Sequence, residues 1–101
     1  MSTALSNPQK RYLRGLAHDL KPVVMVGAKG VTPPLTAELD LALEQHELVK
    51  IKVAAEDREA RDAAIARLCA DSDSTLVSRI GHTAVLYRRS QDKPLVILPK
   101  G

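Results

Sequence analysis

The apolar residues of this chain recur at two periods, one helical and one extended, and the switches between them predict seven elements. In SNPQKRYLRGLAHDL, Leu13, Leu16, Ala17 and Leu20 fall at three-and-four spacing and mark the buried side of a first helix. Ser6 caps it, Gln9 completes a capping box, and Pro8 sits in the first turn. Pro22 blocks continuation. VVMV, Val23 to Val26, is an apolar run, mostly β-branched and without polar alternation, which predicts an interior strand covered on both faces. Thr32 then caps a second helix that has Pro33 at its first position, repeats Leu35, Leu39, Leu43 and His46, and spans roughly Pro33 to His46.

LVKIKVA alternates strictly, with Val49, Ile51 and Val53 to one side and Lys50 and Lys52 to the other, the pattern of a strand with one buried and one wet or ligand-facing side. EDREARDAAIARLCA returns to helical spacing through Ala64, Ile65, Leu68 and Cys69. Asp57 stands at its cap, and Arg58 lies four before Asp62, in register for a surface ion pair. TLVSRI and TAVLYR flank Gly81 and His82, a two-residue link that suits a type II′ hairpin. The order α-β-α-β-α-β-β predicts an α/β fold, a mixed four-stranded sheet packed by helices. With 101 residues the chain is expected to be one domain, its core about 6–89, followed by a loop and tail over 90–101.

Composition narrows the core and the chemistry. Only 2% of the residues are aromatic, so Val, Ile, Leu and Ala must fill the interior. The single cysteine, Cys69, cannot pair within the chain and sits in an apolar stripe, where packing is its expected role. The first residues lack the apolar run of a signal peptide, and the longest apolar stretch is far short of a membrane span. A soluble, cytoplasmic protein with no membrane contact is expected. The net charge of +3 is modest, but its distribution is uneven. Lys10, Arg11, Arg14, Lys21 and Lys29 face only Asp19 in the first thirty residues, whereas residues 31 to 62 hold eight acids. Lys10, Arg14 and Lys21 run along a side of the first helix away from its leucines, with Arg11 beside them.

The candidate chemistry lies where the first strand meets the second helix. In GAKG, Gly27 and Gly30 permit positive φ and close backbone approach. The amides of Ala28, Lys29, Gly30 and Val31 can point at an anion, with the Lys29 ammonium beside them. Pro33 and Pro34 remove two of the N–H groups that a helix start ordinarily offers. The same spacing also serves a plain strand-to-helix connection, and it is not a Walker A loop. A basic helix, the GAKG loop and the paired Lys50 and Lys52 make up the footprint of a protein that grips a nucleic-acid backbone. With only Tyr12 and Tyr87, a stacking platform for single strands lacks its parts, and recognition through phosphate, sugar and shape is expected.

The blocks LRGLAHDLKPVVMVGAKGVT, ALEQHELVKIKV, DRE and IGHTAVLYR, in that order from about Gln9 to Arg88, resemble the CRM domain family, bacterial stand-alone proteins of the YhbY type. The resemblance implies a fold similar to the C-terminal domain of translation initiation factor three and an RNA-binding role on precursors of the large ribosomal subunit. It places the RNA contact at Gly27, Lys29 and Gly30, with Lys21 as a neighbour. Family loops often carry a basic residue directly after the first glycine, where this chain has Ala28. Neither catalysis nor a cofactor is implied.

Other readings compete with this one. His18, His46 and His82 are scattered and show no metal-ligand spacing, and Glu56, Asp57, Glu59 and Asp62 are acids of the kind that stabilise a helix start. No set of nucleophile, base and orienter can be assembled, so an enzyme is not expected. The stronger rival is a protein-interaction module. In that reading an acidic side of the second helix, Glu38, Asp40, Glu44 and Glu47, meets ribosomal proteins or assembly factors. A monomer is expected in either case.

Overall fold

The computed structural model describes residues 5–27, 29–55 and 57–89. Its elements are α1 (Asn7–Ala17), β1 (Val24–Val26), α2 (Pro33–His46), β2 (Leu48–Val53), α3 (Arg58–Ser72), β3 (Thr75–Ile80) and β4 (Thr83–Tyr87). They form the mixed sheet that the periodicities predict, with strand order β1-β2-β4-β3. β1 runs parallel to β2, and the pairs β2 with β4 and β3 with β4 are antiparallel.

Local chemistry explains most of the boundaries. Ser6 accepts from the Gln9 amide at 3.2 Å, and the Gln9 side chain accepts from the Ser6 amide at 3.1 Å, closing the capping box in both directions. Thr32 caps α2 through the Leu35 amide at 3.4 Å. Asp57 occupies the N-cap position of α3 without making a side-chain cap bond, contrary to expectation. Asp62 pairs with Arg79 of β3 at 2.8 Å, not with Arg58 on its own helix, because the neighbouring strand brings a guanidinium within reach. The hairpin turns at Gly81, with φ +58.

Alternation divides the sheet into two faces. Val24, Val26, Val49, Ile51, Val53, Ala84 and Leu86 point to one, where α2 and α3 cover them with Leu39, Leu43, Ile65 and Leu68. Leu48, Val85 and Tyr87 point to the other, where Val77 joins them and α1 covers them with Leu13 and Ala17. Two sequence expectations give way here. β1 is an edge strand with one covered face, not an interior strand covered on both: Met25 is 61% exposed and Val23 is 52% exposed. Its apolar run is misleading because α1 ends at Ala17 and packs on β2 and β3, leaving no described helix above Met25. For the same reason Leu16 and Leu20 stay substantially exposed, and only Leu13 and Ala17 of the predicted stripe are buried. Residues 90–101, read as loop and tail, and Glu56 lie outside the described residues.

Candidate nucleic-acid interface

The parallel register aligns the end of β1 with the end of β2, Val26 beside Val53, and the Ala54 amide donates to the Val26 carbonyl at 2.9 Å. The Val53 amide donates to the His82 carbonyl at 2.7 Å. The GAKG loop, the β2–α3 connection and the hairpin turn therefore share one end of the sheet.

Within the loop, the Gly30 amide donates to the Gly27 carbonyl at 3.0 Å and closes a tight turn, with Gly30 at φ +73. Among the described residues of the loop, that is the one position where glycine is demanded by backbone conformation, since an L side chain is strained there. Gly27 does not adopt positive φ, and a Cβ on it would meet open space. The closing bond also corrects the expected clamp, because the Gly30 amide is spent within the turn. α2 offers no further donors at its start: Pro33 and Pro34 have none, Leu35 donates to the Thr32 hydroxyl, and Thr36 donates to the Thr32 carbonyl. Among the described residues, the Lys29 and Val31 amides and the exposed Lys29 ammonium remain to face an anion. Ala28 lies outside the described residues.

The uncovered part of the α1-side face leads away from this loop. Register places Met25, Lys52, Thr83 and Ile80 in one row across the four strands, and Lys50, Val85 and Ser78 in the next, with Val23 held beside Lys50 by the hydrogen bond its amide donates to the Lys50 carbonyl. Lys21 and Lys50 line a groove of about 360 Å³ whose walls are mostly apolar, Leu16, Leu20, Val23 and Leu48 among them. Arg14 of α1 and His18 just after it meet Lys50, Ile80 and Thr83 around a smaller cavity of about 120 Å³. Arg14, Lys21, Lys50 and Lys52 are thus gathered on one side of the sheet, with Lys29 at its end. Lys10 is half-buried one turn before Arg14 and Arg11 is exposed, both farther toward the start of α1.

Met25, Thr83 and Ile80 share this surface and are absent from the sequence reading. The alternation of TAVLY already puts Thr83 on the side opposite Ala84, but which strand lies beside Lys52 depends on a pairing that no local pattern announces. His82, read as a turn residue, has its Nε2 at 3.2 Å from Arg61 Nη1.

The acidic side of α2, on which the protein-module reading rests, is partly engaged within the fold. Arg88 binds the carboxylates of Asp40 and Glu44, and Glu47 is fully buried at the helix end with φ +60. Of the four acids, Glu38 alone is exposed without one of these ties. Burial pushes the Cys69 thiol up despite a hydrogen bond with Ser74, which suits a packing role. Among the described residues no group of three or more His, Cys, Asp or Glu side chains is placed to hold a metal, and no helix is long and apolar enough to cross a membrane.

Comparison with known proteins adds an independent finding. The family model described as the CRS1 / YhbY (CRM) domain matches residues 5–88. An RNA-binding protein of Haemophilus influenzae is 47% identical over 90 residues, covering 89% of this chain and 91% of its own. A Bacillus subtilis protein named as a probable RNA-binding protein is 38% identical over 95 residues, covering 94% and 99%. The solution structure of a hypothetical protein from Staphylococcus aureus superposes with a TM-score of 0.82 at 33% identity, over 95% of this chain and all of that one.

Proposed function

The chain belongs to the CRS1 / YhbY (CRM) domain family, and from that premise we propose that it binds structured ribosomal RNA and acts in assembly of the large ribosomal subunit. The GAKG loop and the basic side of the sheet grip the RNA backbone. The observation that carries this reading is the gathering of Arg14 and Lys21 with Lys50 around adjoining cavities, with Lys52 on the same face. The relatives named as RNA-binding proteins support it. Phosphates repeat along an RNA strand, so a surface that tracks them needs cations spread over a face rather than one deep pocket. Lys29 supplies the contact at the loop end. Lys10 and Arg11 extend the surface along α1 to longer RNA. On this reading the protein is a monomeric cytoplasmic binding protein, not an enzyme, and it uses no cofactor.

The deciding experiment is binding of the wild type and Lys29→Glu to fragments of large-subunit ribosomal RNA across a salt series. Four to five phosphate contacts give a log–log slope of about −3 to −4. The variant is expected to bind roughly tenfold more weakly with an unchanged melting temperature, because an exposed loop lysine contributes charge and not packing. Unchanged affinity would remove the loop from the interface. Absent or salt-insensitive RNA binding would overturn the reading and leave a protein partner to be sought.

A further inference from the structure

Building on the reading of this face as an RNA surface, we propose that its uncovered rows take the ribose edge of an RNA double helix. Thr83 accepts a hydrogen bond there from a ribose 2′-hydroxyl, and through it the protein tells RNA from DNA.

The argument starts from what Thr83 can still offer. Its Oγ1 donates to the Ile80 carbonyl at 2.9 Å. A hydroxyl has one proton, so this bond uses up the donor and leaves lone pairs alone. Phosphate oxygens only accept, so while it keeps this bond Thr83 cannot serve a phosphate, even though it lies beside Lys52 and shares a cavity with Lys50 and Arg14. Its partner must bring a proton. On an RNA backbone the group that does so is the 2′-hydroxyl, and DNA has none.

The surroundings suit a sugar edge. The row Met25, Lys52, Thr83, Ile80 crosses four strands, about 14 Å at ordinary strand spacing. Its ends are apolar and open, Met25 61% and Ile80 76% exposed. No exposed aromatic ring stands in the row to stack on a base. Aliphatic side chains can instead pack on the C–H surface of ribose. The minor groove of an RNA helix is wide and shallow and displays its 2′-hydroxyls, whereas that of B-DNA is narrow. A sheet face four strands wide fits the first and not the second. Charge complementarity argues for the same occupant, since among the described residues no acid lines the cavity at Thr83 and two cations do, Arg14 and Lys50.

The test compares a short RNA duplex with its 2′-O-methyl counterpart, which keeps the RNA helix form but cannot donate, and with DNA of the same sequence. The wild type is expected to prefer RNA to the 2′-O-methyl duplex by about fivefold, the effect of one neutral hydrogen bond, and to bind DNA more weakly still. Thr83→Val should erase the fivefold preference while leaving the salt slope and the Lys29→Glu effect as they were, and Thr83→Ser should keep it. Ile80→Asp should weaken RNA-duplex binding at constant fold. Equal binding of RNA and 2′-O-methyl RNA by the wild type, a comparison that needs no variant to fold, would overturn the proposal. A preference that survives Thr83→Val would overturn it as well. If that happens while binding stays salt-steep and Lys29-dependent, the backbone-gripping function stands and only the role of Thr83 falls. Failure to bind any RNA would overturn both.

Discussion

The two faces of the sheet are made from the same strands, yet one is sealed by two helices and the other is half covered by one. On the α2/α3 side, Val49, Ile51 and Val53 are at most 1% exposed, and each such side chain contributes about 1.5–3 kcal/mol through removal from water. On the α1 side, an eleven-residue helix buries two side chains over Leu48, Val77, Val85 and Tyr87 and then stops. Beyond it the same strands show Lys50, Lys52, Met25 and Ile80. The difference shows how a domain of this size frees surface for binding: the stabilising burial is concentrated on one face, so part of the other can stay open and basic.

Adjacent residues of β2 give the sharpest way to break that comparison. Ile51→Asp places a carboxylate among fully buried aliphatic side chains with no partner, a cost of about 4 kcal/mol or more against a typical stability of about 5–15 kcal/mol. It is expected to unfold or nearly unfold the domain, seen as loss of cooperative melting by circular dichroism. Lys52→Asp, one residue on and exposed, should melt like the wild type and lose RNA affinity. If Lys52→Asp unfolded the domain and Ile51→Asp did not, the assignment of the two faces would be reversed.

Much of this arrangement is legible in the sequence, and the failures have physical causes. Local rules work where neighbours in sequence settle the matter, as in the Ser6/Gln9 box, the Thr32 cap with Pro33, the strict alternation of β2 and the Gly81 turn. They fail where distant elements decide. VVMV looks doubly buried, but coverage depends on where α1 ends and which strands it crosses. The pairing of Asp62 with Arg79 and of Asp40 and Glu44 with Arg88 depends on tertiary neighbours. The lysines of the candidate site are readable as residues, whereas their meeting with Arg14 and Thr83 requires the register of β2 with β4. The loop is readable as a turn, but the internal use of its Gly30 amide is not.

A smaller effect tests the sealed side from its rim. Arg88 follows β4 and joins the middle of α2 to the end of α3: its Nη1 donates to the Ser72 carbonyl at 2.8 Å and to the Asp40 carboxylate, and its Nη2 donates to the Asp40 carbonyl at 3.0 Å and to Glu44 Oε2 at 3.1 Å. The two carboxylates are half exposed or more, so solvent screens much of the ionic part. The carbonyl bonds of a largely buried guanidinium carry more. Arg88→Ala is expected to cost about 1–3 kcal/mol, read as a lower urea midpoint with an unchanged slope. Arg88→Lys should recover only part of it, because one ammonium cannot reproduce the planar fork. RNA affinity should not move, since Arg88 belongs to the other side of the molecule. A parallel loss of binding would mean that the two faces are coupled.

The smallest effect concerns the covered half of the open face. Tyr87 is 2% exposed beneath α1, and burial pushes its phenol up from the ordinary tyrosine range, with the Glu47 carboxylate adding to the rise and Arg89 partly offsetting it. An acid whose pKa is higher in the folded than in the unfolded state holds its proton longer when folded. Its contribution to stability is complete below the unfolded value of about 10 and is lost as pH rises through the folded value. Stability should therefore fall above about pH 10 with a component that Tyr87→Phe removes. At pH 7 the same substitution should lie within about 1 kcal/mol of the wild type, because the ring and its packing remain. Chemical denaturation at pH 7 and at several points above pH 9 measures both. An identical alkaline decline in Tyr87→Phe would show that the phenol under α1 is not its source.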